Sequence, residues 1–142
     1  GKTTVARLFA RVLCDSGMRR KDTVAETTAQ EVKDKGPDEF RRSAMKAMDG
    51  VLFIDEAYDL DPTGDFKGKP IVSELLTLAE NHRDRLSFIL AGYEDEIQKK
   101  LFSFNDGLRS RFEEVVFEDF DEVDLRSIWE RELSQRHWKA EE

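Results

Sequence analysis

Between Thr3 and Ser16 the apolar residues Val5, Phe9, Val12 and Leu13 recur at the spacing of one helical stripe, which predicts an amphipathic helix. Gly17 is its natural stop. The stretch Thr23–Thr28 reads as weakly extended and rather polar. Gly36-Pro37-Asp38 then breaks the chain, and Phe40, Ala44, Ala47 and Met48 predict a second helix that ends at Gly50. Val51-Leu52-Phe53-Ile54 is a continuous apolar run of strand length, closed by Asp55-Glu56. Runs of that kind suit a strand covered on both faces, as in a parallel sheet. Asp61–Gly68 reads as loop, and Pro70 suits the first turn of a third helix with Ile71, Leu75, Leu78 and Ala79 as its stripe. Leu86–Leu90 predicts a second buried strand, followed by a helix from about Glu94 to Phe102. Val115-Val116-Phe117 predicts a last strand, and Asp121 starts an amphipathic helix through Leu125, Ile128, Trp129 and Leu133.

Strands alternate with helices, without repeats or a Pro/Ser-rich linker, and this points to an α/β sandwich with a largely parallel sheet. Ligands of such sheets gather at the carboxyl ends of the strands. The chemistry is to be sought there.

Composition narrows the classes. The 142 residues are 39% hydrophobic and 38% charged, with ten Phe, which suits one globular domain rather than a disordered tail. The longest apolar runs, Val51–Ile54 and Phe88–Ala91, fall far short of the roughly 20 residues of a membrane span. A net charge of −8 and the lack of a Lys/Arg block argue against nucleic acid or anionic membrane as the main partner. The single cysteine, Cys14, permits no internal disulfide, and an intracellular, cytoplasmic setting is expected. His82 and His137 stand alone and read as surface residues, so no metal-ligand cluster is predicted from His and Cys. The start at Gly1-Lys2, without methionine or signal-like segment, suggests an excerpt of a longer protein.

Four strings carry candidate chemistry. Gly1-Lys2-Thr3-Thr4 precedes the first helix and matches the end of the phosphate-loop pattern G-x-x-x-x-G-K-[ST]. Amides and the dipole of a helix N-terminus suit phosphate, Lys2 would neutralise β- and γ-phosphate oxygens, and the Thr3 hydroxyl would hold Mg²⁺. Alone the string is a weak signal, and Lys2 more often reads as an ordinary solvated lysine. Asp55-Glu56 at a strand's carboxyl end is suited to metal binding by Asp55 and to activation of water by Glu56, and jointly the two strings are far more specific than either. Tyr93, after Leu86–Gly92, is placed either to reach a γ-phosphate or simply to pack. Arg109 and Arg111, in Gly107-Leu108-Arg109-Ser110-Arg111-Phe112, suit either a trans-acting arginine finger or ion pairs to Asp106, Glu113 or Glu114.

In this order the strings resemble an AAA+ ATPase, and more narrowly the CbbX and stage V sporulation protein K branch. The resemblance rests on Gly50–Tyr58, Leu90–Tyr93 and Gly107–Phe112, and it spans nearly the whole chain. It implies the three-layer P-loop NTPase sandwich, with strand order 5-1-4-3-2. Residues 1–120 would be the ATPase core, lacking strand 1 and half of the phosphate loop, and 121–142 the first helix of the small lid domain. It further implies ATP and Mg²⁺, ring-shaped homo-oligomers (commonly hexamers) and the remodelling of a protein partner. Gly1, Lys2, Thr3 and Thr4 fall in Walker A, and Asp55 and Glu56 in Walker B. Arg111 falls at the arginine-finger position, with Arg109 beside it. Tyr93 stands in the sensor-1 neighbourhood, where much of the superfamily has Asn, and Asp34 stands where relatives carry an aromatic pore residue. The sensor-2 arginine would lie beyond Glu142, and the excerpt alone is expected to be inactive.

Two other readings compete. A P-loop small-molecule kinase has no need of Glu56 directly after Asp55, nor of arginines serving a neighbour. A non-catalytic module, in which ATP only cements subunits, is opposed by Glu56 and Arg111, while Asp34 and Tyr93 leave it open.

Overall fold

The apolar run Val51–Ile54 becomes the middle strand of a sheet because both its faces find cover. The computed structural model describes residues 2–61, 63, 66–104 and 106–112. In chain order the helices and strands are α1 (Lys2–Asp15), β1 (Val24–Thr28), α2 (Ala29–Lys35), α3 (Pro37–Lys46), β2 (Val51–Asp55), α4 (Gly68–Asn81), β3 (Ser87–Leu90), α5 (Glu94–Lys100) and α6 (Asp106–Arg111). Short 3-10 turns occupy Ala57–Leu60 and Phe102–Phe104. The expected strand at 115–117 and helix from 121 lie outside the described residues.

Among the described residues the three strands form one parallel sheet in the order β1-β2-β3. Val24 lies opposite Val51 and Thr28 opposite Asp55, while Ser87 lies opposite Val51 and Leu90 opposite Ile54. The side chains of β2 alternate between two cores, as the pleat requires. Leu52 and Ile54 join a large cluster with Val32 of α2, Phe40 and Ala44 of α3, and Ile71, Val72, Leu75 and Leu78 of α4. Val51 packs with Ala10 and Leu13 of α1, and Val24 and Ile89 lean on the same group. Helix α1 therefore covers one face and α2–α4 the other, the three-layer α/β arrangement expected of a P-loop NTPase.

Several expectations are corrected. The buried stripe of α1 is wider than predicted, adding Ala6, Leu8 and Ala10, while Val5 is only half-buried. Strand β3 is half-buried throughout, not buried, because β2 is its only strand neighbour among the described residues. His82 is half-buried: it closes α4, and its carbonyl accepts from the amides of Arg85 and Leu86 at 3.0 and 2.8 Å. Helix α2 was not predicted. With Ala29, Val32 and Lys33 as its buried residues it is too short to show a stripe, but Thr28 followed by Glu31 was a legible cap. The Glu31 amide donates to Thr28 Oγ1 at 3.1 Å. At Gly36 the backbone turns through φ 91°, which a glycine adopts without strain, and α3 begins at once with Pro37.

Two arginines fasten the amino ends of the strands. Arg19 is 8% exposed and donates from Nε to Ser87 Oγ at 2.9 Å, and from its terminal nitrogens to the carbonyls of Met18, Asp84 and Arg83 at 2.6, 3.1 and 2.7 Å. Burial lowers its pKa, and the charges of Asp84 and Asp49 partly restore it. Arg19→Met should cost about 3 kcal/mol in urea unfolding, since it takes the charged donor away from these partly buried carbonyls.

Arg85 grips Asp49 from both sides, Nε to Oδ1 at 3.0 Å and Nη2 to Oδ2 at 2.9 Å. The hydrogen bond from Arg85, above all, holds the Asp49 carboxyl below its ordinary pKa. A carboxyl lowered in the folded state stabilises above its unfolded pKa and loses that contribution as pH falls through the folded value. Asp49→Asn should therefore lower Tm at pH 7, and the gap to wild type should close as pH drops below about 4.

Candidate functional site

The carboxyl ends of β2 and β3 bring three of the predicted residues together. Asp55 is the last residue of β2 and half-buried, and its Oδ1 accepts from the Glu56 amide at 2.8 Å. Glu56 follows in the left-handed region, φ 52° and ψ 44°, and is exposed. For a residue other than glycine such a backbone costs on the order of 1–3 kcal/mol and persists only where its surroundings impose it. Here they do. Asp55 holds the Glu56 amide, the Asp59 amide donates to the Glu56 carbonyl at 2.9 Å, and the Ala57 amide donates to the Ala91 carbonyl at 2.9 Å. Ala91 in turn donates to the Ile54 carbonyl at 3.0 Å, so the ends of β2 and β3 are laced together.

Tyr93 follows β3 and caps α5, and it is 70% exposed. Its ring stacks on Tyr58, with centroids 6.4 Å apart and planes at 30°. Burial, then the negative charges of Glu56 and Asp59, raise the Tyr58 hydroxyl above the usual phenol range. Lys100 Nζ lies 5.8 Å from the Tyr58 ring centroid and 2.6 Å from Glu96 Oε2. None of this stack was read from the sequence, because it depends on the register of two strands far apart in the chain.

Lys2, Thr3 and Thr4 form the first turn of α1; Thr3 is half-buried and Thr4 exposed, and Gly1 lies outside the described residues. The far end of α1 packs through Leu13 on Val51, at the amino end of β2, and leads into the start of β1. Its beginning therefore faces toward the same sheet end as Asp55. A helix N-terminus there offers amides and a positive dipole end, while Thr3 and Asp55 supply hard oxygen donors, the set that Mg²⁺ prefers.

Arg109 and Arg111 are elsewhere. Both are exposed on α6, and Arg111 donates from Nε to Glu80 Oε2 at 2.8 Å and from Nη1 to the Gly107 carbonyl at 2.8 Å. The local sequence offers Asp106, Glu113 and Glu114 as partners, whereas Glu80 comes from α4, 31 residues away in the chain. Helix α4 begins beside Leu60, just past the Glu56 turn, and Glu80 lies near its other end. At 1.5 Å per residue that is about 18 Å along the helix, so this chain's Arg111 stands well away from its own Asp55. Asp34, in the last turn of α2, is exposed; it accepts from Gln30 Nε2 at 3.0 Å, and Lys67 Nζ lies 4.0 Å away. Among the described residues no group of His, Cys, Asp and Glu forms a metal cluster, and no helix is long and apolar enough to cross a membrane.

The chain is similar to secretion-system proteins of mycobacteria. It is 40% identical over 144 residues to the ESX-3 secretion system protein EccA3 of Mycobacterium leprae, covering 96% of this chain and 22% of that protein. It is 36% identical over 137 residues to the ESX-1 secretion system protein EccA1 of Mycobacterium tuberculosis, covering 90% and 24%. To the EccA1 protein of Mycolicibacterium smegmatis it is 41% identical over 125 residues, covering 79% and 21%. The chain thus spans about a fifth to a quarter of the length of these relatives. Residues 1–120 match the ATPase family associated with various cellular activities. With a parallel α/β sheet and the Asp55–Glu56 strand end already in place, this match over most of its length makes the chain a member of the AAA family of ATPases.

Proposed function

We propose that the chain is the ATP-hydrolysing core of a ring-forming protein that remodels protein complexes inside the cell. Within the AAA family its strings Gly50–Tyr58, Leu90–Tyr93 and Gly107–Phe112 favour the CbbX and stage V sporulation protein K branch. Residues 1–120 are its ATPase core and 121–142 the first helix of its lid. The observation that carries the reading is Glu56, held in a left-handed turn directly after Asp55 at the end of the middle strand. Lys2 neutralises phosphate charge in the bound state, and the amides at Gly1–Thr4 hold phosphate oxygens. Thr3 and Asp55 would hold Mg²⁺, which when bound offsets charge on the β- and γ-phosphates. Glu56 orients the attacking water and takes its proton. Arg111 serves the ATP of the adjacent subunit, which suits its distance from its own Asp55, and Arg109 supports it. The names of the relatives, as secretion-system proteins, support a protein partner, with an export assembly as the first candidate.

The direct test is phosphate release from ATP by the full-length protein. Release should require Mg²⁺, stop on chelation and return when Mg²⁺ is restored. Tight ATP binding with no release over hours would instead favour the non-catalytic assembly module. Transfer of the phosphoryl group to a small-molecule acceptor would favour the kinase.

A further inference from the structure

The left-handed backbone at Glu56 needs support from the residues around it, and hydrogen bonds are only part of that support. Tyr58 is two residues on, in the 3-10 turn, and its ring lies between three groups of the β3–α5 segment. Tyr93 stacks on it, Lys100 sits over it at 5.8 Å, and Gly92 runs close beside it. A Cβ on Gly92 would stand 2.9 Å from Tyr58 Cδ1 and 3.2 Å from Ile97 Cδ1, so glycine is what lets the ring come this close. The Ala57–Ala91 hydrogen bond ties the same two segments one residue away.

We infer that Tyr58 and Tyr93, seated on Gly92, form a positioning unit that fixes the Glu56 turn against the end of β3 for hydrolysis, an inference that rests on the ATP-hydrolysis reading. Tyr93 thereby acts through its ring on Tyr58, and not through its hydroxyl on phosphate. Fixing the turn sets the carboxylate of Glu56 without touching the groups that bind ATP in the ground state. Loss of the unit should fall on kcat and spare KM, since small misplacements of a catalytic group cost rate steeply.

The test uses the full-length protein and four variants: Tyr58→Ala, Tyr93→Ala, their double variant, and Tyr58→Phe. Each alanine variant should lower kcat for phosphate release roughly 10- to 100-fold with KM for ATP changed less than about twofold. The double variant should lose no more than the worse single, because one unit is being removed twice. Tyr58→Phe keeps the ring and should restore the rate to within about twofold of wild type. Gly92→Ala, a gentler change, should lower kcat in the same way by displacing the ring. Hydrogen exchange without ATP supplies an independent reading: the amides of 56–60 should exchange faster in Tyr93→Ala while those of β2 stay protected. Unchanged exchange at 56–60, additive losses in the double variant, or a Phe variant as slow as the alanine variant would each overturn the inference. A wild-type protein that hydrolyses no ATP would refute the ATPase reading instead, and the exchange experiment would still decide the coupling.

Discussion

Glu56→Gln should leave ATP bound and nearly stop its hydrolysis. Glutamine is close in shape to glutamate and leaves Asp55 and its hydrogen bond to the residue 56 amide in place. On the proposed roles the base is what is lost, and general-base contributions of about 10²–10⁴ put the expected drop in phosphate release at two orders of magnitude or more. Lys2→Ala should behave differently, because in the proposed site it removes a charge contact made with the ATP ground state. Its defect should appear first as weaker binding of ATP. Nucleotide affinity and phosphate release, measured on both variants, check the division of roles. A Glu56→Gln protein that turns over normally, or two variants with the same defect, would refute it.

Arg111→Ala should bind ATP nearly normally and hydrolyse it at least 10³-fold more slowly, since arginine fingers of P-loop enzymes are worth about 10³–10⁵ in rate. The competing role is visible in the structure, where Arg111 pairs with Glu80 at 2.8 Å on the protein surface. With its side chain 36% exposed and that of Glu80 54% exposed, the pair is of the surface kind. If that pair were its whole purpose, Arg111→Ala would cost about 0–1 kcal/mol of stability and leave turnover alone. Glu80→Ala breaks the same pair and keeps the arginine, so it should spare turnover. Equal loss in the two variants would assign the effect to the ion pair and not to a finger.

What the sequence disclosed follows the physics of each element. Strand β2 was legible because α1 and the α2–α4 layer cover both its faces, which makes Val51–Ile54 uniformly apolar. Strand β1 was faint because it stands at an edge of the sheet among the described residues, half-buried and with Glu26 exposed. Helix α2 showed no stripe, and only its cap at Thr28 betrayed it. The residue types of the proposed site were readable from Asp55-Glu56 and Lys2-Thr3, because metal and phosphate chemistry would demand those groups at a strand end and a helix start. Conformation and partners were not. Nothing about a glutamate announces φ 52°, and nothing near Arg19 in the chain announces that Ser87, Arg83 and Asp84 will bury it. Tyr58 meets Tyr93, and Arg111 meets Glu80, across chain separations that no local pattern spans.

On the proposed function, ATP held by one subunit is hydrolysed with an arginine from the next. Mixing two inactive full-length variants, Arg111→Ala and Lys2→Ala, decides whether it is so. Ring interfaces are heterologous, so random assembly of equal amounts should place an intact Lys2 beside a neighbour's intact Arg111 at about a quarter of the interfaces. Phosphate release should return to a substantial fraction of the wild-type rate, peak near equal mixing and rise with protein concentration as rings form. A mixture that stays as inactive as either variant alone, at every ratio and concentration, would contradict the claim.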